Sequence, residues 1–110
     1  GHPVAGQTWE SMVIETLIAV APDGTEASFY RTSAGAEIDL LLALPRGRLW
    51  AIEGKRSSAP KVERGFHLAC ADLKPQRQIV VHPGTERFSL GQGTEAVGLV
   101  ALAKELRSLK

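Results

Sequence analysis

The stretch "AEIDLLLALPRGRLWAIEGK", residues 36 to 55, restricts the fold more than any other part of the chain. A nine-residue strand pattern runs into Pro-Arg-Gly and then into a second strand pattern. Successive side chains of a strand point to opposite faces. Ile38, Leu40, Leu42 and Leu44 therefore fall on one apolar face. Glu37, Asp39, Leu41 and Ala43 fall on the other, which is polar only at its start. Leucine-rich runs can also be helical, but Pro45 and Gly47 cut this one at strand length. Pro45 suits the first central position of a type I turn, and Gly47 can supply the left-handed residue after it. Such a loop pairs Leu44 with Arg48, and counting outward sets Asp39 opposite Glu53, with Lys55 next along the same face. A two-residue loop would place Asp39 opposite Gly54 instead and part the two carboxylates.

Helical spacing recurs before this hairpin. Trp9, Val13, Leu17 and Val20 mark a helix over 8 to 21, its stripe widened by Met12, Ile14 and Ile18. Thr8 suits its N-cap, and Pro22-Asp23-Gly24 ends it in a turn. Residues 26 to 31 read as extended, with Phe29 and Tyr30 favouring a strand. After the hairpin, residues 60 to 73 read as a helix opened by Pro60 and carrying Val62, Phe66, Ala69, Cys70 and Leu73. Residues 77 to 82 make a short buried strand, followed by a Pro83-Gly84 turn. Arg87 to Leu90 and Ala96 to Gly98 read as extended. Leu99 to Leu109 form an amphipathic helix with Leu99, Leu102, Leu106 and Leu109 on one stripe. The order is helix, three strands, helix, strand, then a short addition and a C-terminal helix, which describes a mixed α/β domain.

Composition sets the outer limits. A chain of 110 residues, 44% hydrophobic and 23% charged, fits one small globular domain over 1 to 110 and lies far from disorder. No apolar run approaches the roughly 20 residues needed to cross a bilayer. No secretory signal is read near Gly1, and the single cysteine, Cys70, cannot form an internal disulfide, so a cytoplasmic protein is expected. His2, in what reads as a remnant of an expression tag, is not counted among site residues. Net charge is +1, which names no partner. Charge is nonetheless uneven. Arg46, Arg48, Lys55, Arg56, Lys61 and Arg64 face only Glu53 and Glu63 over that segment, which is either a solvated face or an anion-binding one.

Asp39, Glu53 and Lys55 converge on two adjacent strands. Two carboxylates side by side repel each other. They either pair with Lys55 and a nearby arginine, as an ordinary ion-pair cluster, or share a divalent cation. Mg²⁺ takes oxygen ligands and keeps several waters, so two carboxylates and a backbone carbonyl suffice. Glu10 can add a carboxylate if the first helix starts over the same sheet edge; otherwise it is an acidic residue favoured by the helix dipole. His67 and Cys70 sit three apart on one helix face, but two ligands do not make a zinc site. The leucine stripe of the last helix either packs on its own sheet or meets a second copy.

Three segments resemble a known superfamily: "GQTWESMVIETLI", "FYRTSAGAEIDLLL" and "LWAIEGKRS". They are similar to the PD-(D/E)xK nuclease-like superfamily, and more closely to the domain of unknown function at the C-terminus of bacterial and archaeal AAA-type ATPases. The resemblance covers nearly the whole chain from about Gly6. It implies a restriction-endonuclease-like core with a mixed central sheet, Mg²⁺ or Mn²⁺ held by Asp39 and Glu53, and Lys55 as catalytic lysine. It also implies Glu10 as the helix carboxylate, Arg31 near phosphate, and DNA or RNA as substrate. Arg56, in the basic segment, joins Arg31 as a phosphate candidate. By the same resemblance the chain is a C-terminal piece of a longer ATPase protein. A module without catalysis, serving regulation, nucleic-acid binding or oligomerisation, is the competing expectation. Two positions depart from the pattern: Ile38 stands where the superfamily's name implies Pro, and Gly54 where an apolar strand residue is usual. Gly54-Lys55 is not a phosphate-binding loop, because position 49 is Leu where that loop needs Gly.

Overall fold

A computed structural model describes residues 8–109 of the chain. Gly1, His2, Gly6 and Gln7, named above, lie outside the described residues. In chain order the elements are α1 (Trp9–Val20), β1 (Glu26–Arg31), β2 (Glu37–Leu44), β3 (Arg48–Gly54), α2 (Arg64–Leu73), β4 (Arg77–His82), β5 (Phe88–Gly91), β6 (Thr94–Gly98) and α3 (Leu99–Arg107). The six strands form one sheet in the order β1-β2-β3-β4-β6-β5. The β1–β2, β2–β3 and β5–β6 pairs are antiparallel; β3–β4 and β4–β6 are parallel. Parallel neighbours need a crossover, and α2 supplies the one from β3 to β4. This is a mixed α/β fold with a restriction-endonuclease-like core.

Each face of the sheet has its own core. On one, Val13 and Leu17 of α1 and Leu102 and Leu106 of α3 close over Leu40, Leu42, Leu44, Trp50, Ile52, Ile79, Val81 and Val97. On the other, Phe66, Ala69 and Cys70 of α2 cover Ala36, Ile38 and Ala51. The tail stripe therefore packs on its own domain, with Leu99 and Leu109 at its margins. Thr8 caps α1 as expected, its hydroxyl accepting from the Ser11 N–H at 3.0 Å. Met12 and Ile18 do not widen the buried stripe; they are exposed, because α3 and the sheet reach only the Val13–Leu17 side.

Three local expectations change. The β2–β3 register runs from Leu44↔Arg48 to Leu40↔Ile52, as the hairpin count requires. However, Arg46 has φ 70° and Gly47 φ 72°. Two successive left-handed residues follow the right-handed twist of paired strands better than a type I turn does. The Arg48 side chain fastens this loop, its Nε donating to the Pro45 carbonyl at 2.9 Å. Second, Ser28 pairs with Leu41 but Tyr30 with Ile38, so β2 carries one extra residue there. That bulge moves Ile38 off the Leu40–Leu44 face and onto the α2 side. Third, α2 begins at Arg64, not at Pro60. Residues 55 to 63 are needed to carry the chain from the end of β3 to the outer face, where Phe66 finds its core, and Pro60 is buried along that connection.

Candidate functional site

The β2 bulge and the C-terminal end of β3 meet at a cavity of about 380 Å³. Glu37, Asp39, Glu53, Lys55 and Glu63 line it, and Gly35, Gly65 and Phe66 complete its wall. Backbone pairing fixes the two central side chains. Glu53 sits opposite Val80 in the parallel β3–β4 ladder, and the Lys55 N–H donates to the Val81 carbonyl at 2.8 Å. The antiparallel β2–β3 pairing runs as far as Leu40↔Ile52, one step short of Asp39 and Glu53. The bulge re-aims Asp39, but it still faces the cavity with Glu53.

Glu53 is the anomaly of this site. It is 5% exposed, in a β3 segment otherwise apolar from Trp50 to Ile52. Its Oε2 is buried without a hydrogen-bond partner. Lys55 Nζ stands 3.6 Å away, an ion pair beyond hydrogen-bond length, while Glu63 Oε2 lies nearer at 3.2 Å. Burial, and then the Asp39 charge, push the Glu53 carboxyl up to about 7, against the pull of Lys55. Asp39 is also raised, by burial first and Glu37 second; Lys55 and Arg31 oppose this, and Glu10 adds to it. Burial draws the Lys55 ammonium down, but Glu63 and Glu53 outweigh it, so Lys55 is raised and stays charged. The cavity thus sets four carboxyl groups against one ammonium, with one buried oxygen left over.

The sequence candidates fall at different distances from this point. Asp39, Glu53 and Lys55 come together. Glu10 does not line the cavity. It lies in the first turn of α1, on the other side of Gly54: a Cβ built on Gly54 would stand 3.7 Å from the Glu10 Cα and Cγ. Its charge nevertheless reaches Asp39. Arg31 is at the rim, paired with Glu37 at 3.5 Å and stacked over Phe29. Arg56 is exposed on the connection after β3 and is not part of the cavity wall. Glu37 and Glu63 were not among the sequence candidates. Glu37 was legible, two residues before Asp39 in the same strand; Glu63 was not, because the irregular chain of residues 56 to 62 separates it from Lys55. Among the described residues, no group of three His, Cys, Asp or Glu is placed to hold a metal ion. Burial pushes the Cys70 thiol up to about 11, as suits a packing residue. No helix among the described residues is long and apolar enough to cross a membrane.

Comparison with known proteins adds the family. DUF4143, a domain of unknown function, matches residues 5–102. The chain is 38% identical over 97 residues to the uncharacterized protein Rv2008c of Mycobacterium tuberculosis and, equally, to the uncharacterized protein Mb2031c of Mycobacterium bovis. Each match covers 87% of this chain and 21% of the relative, so the chain spans about a fifth of the length of these relatives. No solved structure matches it.

Proposed function

The chain belongs to the DUF4143 family, a domain often found at the C-terminus of bacterial AAA-type ATPases, and from that premise we propose that it is a nuclease-like module of a longer ATPase protein. In this reading Asp39 and Glu53 hold a divalent cation, and the module hydrolyses phosphodiesters of DNA or RNA. The observation that carries the reading is the buried Glu53 Oε2 without a hydrogen-bond partner, in a cavity shared with Asp39 and Lys55. A carboxylate desolvated beside another carboxylate is costly unless a cation or a proton joins it. The donors suit a hard ion such as Mg²⁺ or Mn²⁺: oxygen atoms, open space and room for retained waters. Such an ion would polarise a phosphodiester oxygen and make a bound water more acidic.

The protein's own groups supply the rest. Lys55, charged and held over the cavity, stabilises negative charge as it develops on the phosphoryl oxygens. Arg31 at the rim and Arg56 on the following connection draw the nucleic-acid backbone toward the acidic cavity. Glu10, acting through its field on Asp39, helps set the charge of the pair. A calorimetric titration of Mn²⁺ at pH 8, where Glu53 is ionised, tests the site. Binding is expected to the parent and to be lost in a folded Asp39→Asn protein; metal-dependent cleavage should then disappear in Lys55→Ala. Binding that survives Asp39→Asn unchanged would sink the assignment.

A second reading has its own support. With no three-carboxylate or histidine group in place among the described residues, the fold can serve as a regulatory, nucleic-acid-binding or oligomerisation module without catalysis. A parent protein that binds no Mn²⁺ but self-associates or binds an ATPase partner would favour it.

A further inference from the structure

We propose that Glu63 is a positioning residue of this cavity: it holds the Lys55 ammonium off the buried Glu53 oxygen and so keeps that oxygen open to a cation. The proposal rests on the cation-site reading above and adds to it how the site is kept available. The Lys55 ammonium has two carboxylates to choose between. Glu53 Oε2 is buried, without a hydrogen bond and with only the longer ion pair to Lys55; Glu63 has a side chain 60% exposed to solvent. Once Glu53 is ionised, its buried oxygen is the electrostatically stronger partner, since water screens the exposed one. Yet Nζ lies 3.2 Å from Glu63 Oε2 and 3.6 Å from Glu53 Oε2.

The backbone explains why the weaker partner wins. Lys55 is anchored by its N–H to Val81, at the end of the parallel ladder. Glu63 is anchored by α2: its carbonyl accepts the Phe66 N–H at 3.1 Å and the His67 N–H at 3.2 Å. The first turn of α2 is in turn seated against the Gly35 carbonyl, where a Cβ on Gly65 would come within 2.5 Å of the oxygen. The seat brings the Glu63 carboxylate across the mouth of the cavity. The bridge to Lys55 then closes the connection between β3 and α2.

The test combines a cycle of substitutions with a metal-free structure. Glu63→Gln is expected to let Lys55 swing onto Glu53 and weaken Mn²⁺ binding by about tenfold, the usual size for a lost neighbour of a metal ligand. Part of any loss would come simply from removing a negative charge. That part is measured by the same substitution in a Lys55→Met background, where the loss should be much smaller. Glu63→Asp should keep most of the parent affinity. Equal losses in both backgrounds, or none in either, would overturn the proposal. If the parent itself binds no Mn²⁺, the cation-site reading fails, and the crystal structure of metal-free Glu63→Gln decides the inference alone. Lys55 Nζ within hydrogen-bonding distance of Glu53 Oε2 would uphold it; Nζ left in place or turned to solvent would end it.

Discussion

Glu53 shows how one buried charge reports on a site. Its neutral form is favoured in the folded protein, so the carboxyl titrates near 7 where it would otherwise do so near 4.5. Proton linkage then has a definite sign. Glu53 contributes its full stability below about pH 4.5, and the contribution is lost as pH rises through about 7. Glu53→Gln carries no such charge. The variant is expected to gain on the parent between pH 5 and pH 8, by an amount on the order of a few kcal/mol at most. Urea unfolding of both proteins at the two pH values checks this. A stability difference that does not change with pH would show that Glu53 is not held neutral by its surroundings. The residue itself was readable in the sequence, since a Glu-x-Lys on a strand next to Asp39 singles it out. Its burial was not, because the α2 wall and the β4 ladder that desolvate it come from residues 64 to 82.

At the scale of elements, close packing decides what a small residue means. Gly54 departs from the pattern that the rest of β3 follows, and in the sequence it reads as a weakness in the strand. In the fold it faces the first turn of α1, yet the space there is not tight. A Cβ would meet Trp9 Cζ3 at 3.6 Å and Glu10 at 3.7 Å, ordinary contact distances. Gly54→Ala is therefore expected to fold and to gain up to about 1 kcal/mol from a less flexible unfolded chain. A thermal melt gives the sign, and a loss of stability would mean that the α1–β3 contact has no room. The hairpin makes the complementary point. Its register followed from Pro45-Arg46-Gly47, because loop length fixes which residues pair. The left-handed turn at Arg46 and the bulge at Asp39 did not follow, because both answer to strand twist and to pairing with β1.

At the scale of the molecule, the cavity exists because α2 is seated on the turn between β1 and β2. That turn is built locally: the Thr32 hydroxyl accepts from the Ala36 N–H, and the Thr32 carbonyl from the Gly35 N–H. Gly65→Ala would drive a Cβ into the Gly35 carbonyl, a backbone atom with little freedom to yield. It is expected to cost about 1–3 kcal/mol, read as a lower urea midpoint, and to disturb the cavity by pushing Glu63 and Phe66 outward. An unchanged midpoint would show that α2 can shift without penalty and that its seat does not set the site. The opposite end of the sheet is held by a separate ion network. Arg77 pairs with Glu95 and Glu105 and lies over the Trp50 ring, and Arg87 joins Glu105 at 2.8 Å. None of its residues lines the cavity; it ties α3 to β4 and β6 inside the sheet.

The sequence by itself determined the element order, the hairpin register and the grouping of Asp39, Glu53 and Lys55 at one end of the sheet. These depend on periodicity, turn chemistry and residue type, all of which act over a few neighbouring positions. Tertiary structure alone decided that Ile38 crosses to the α2 face, that Glu10 stands behind Gly54 and outside the cavity, and that Glu63 shares Lys55 with Glu53. Each of those depends on where a distant helix or strand comes to rest. That resting place is fixed by close packing and by the burial of charge, and neither carries a signature at any fixed spacing along the chain.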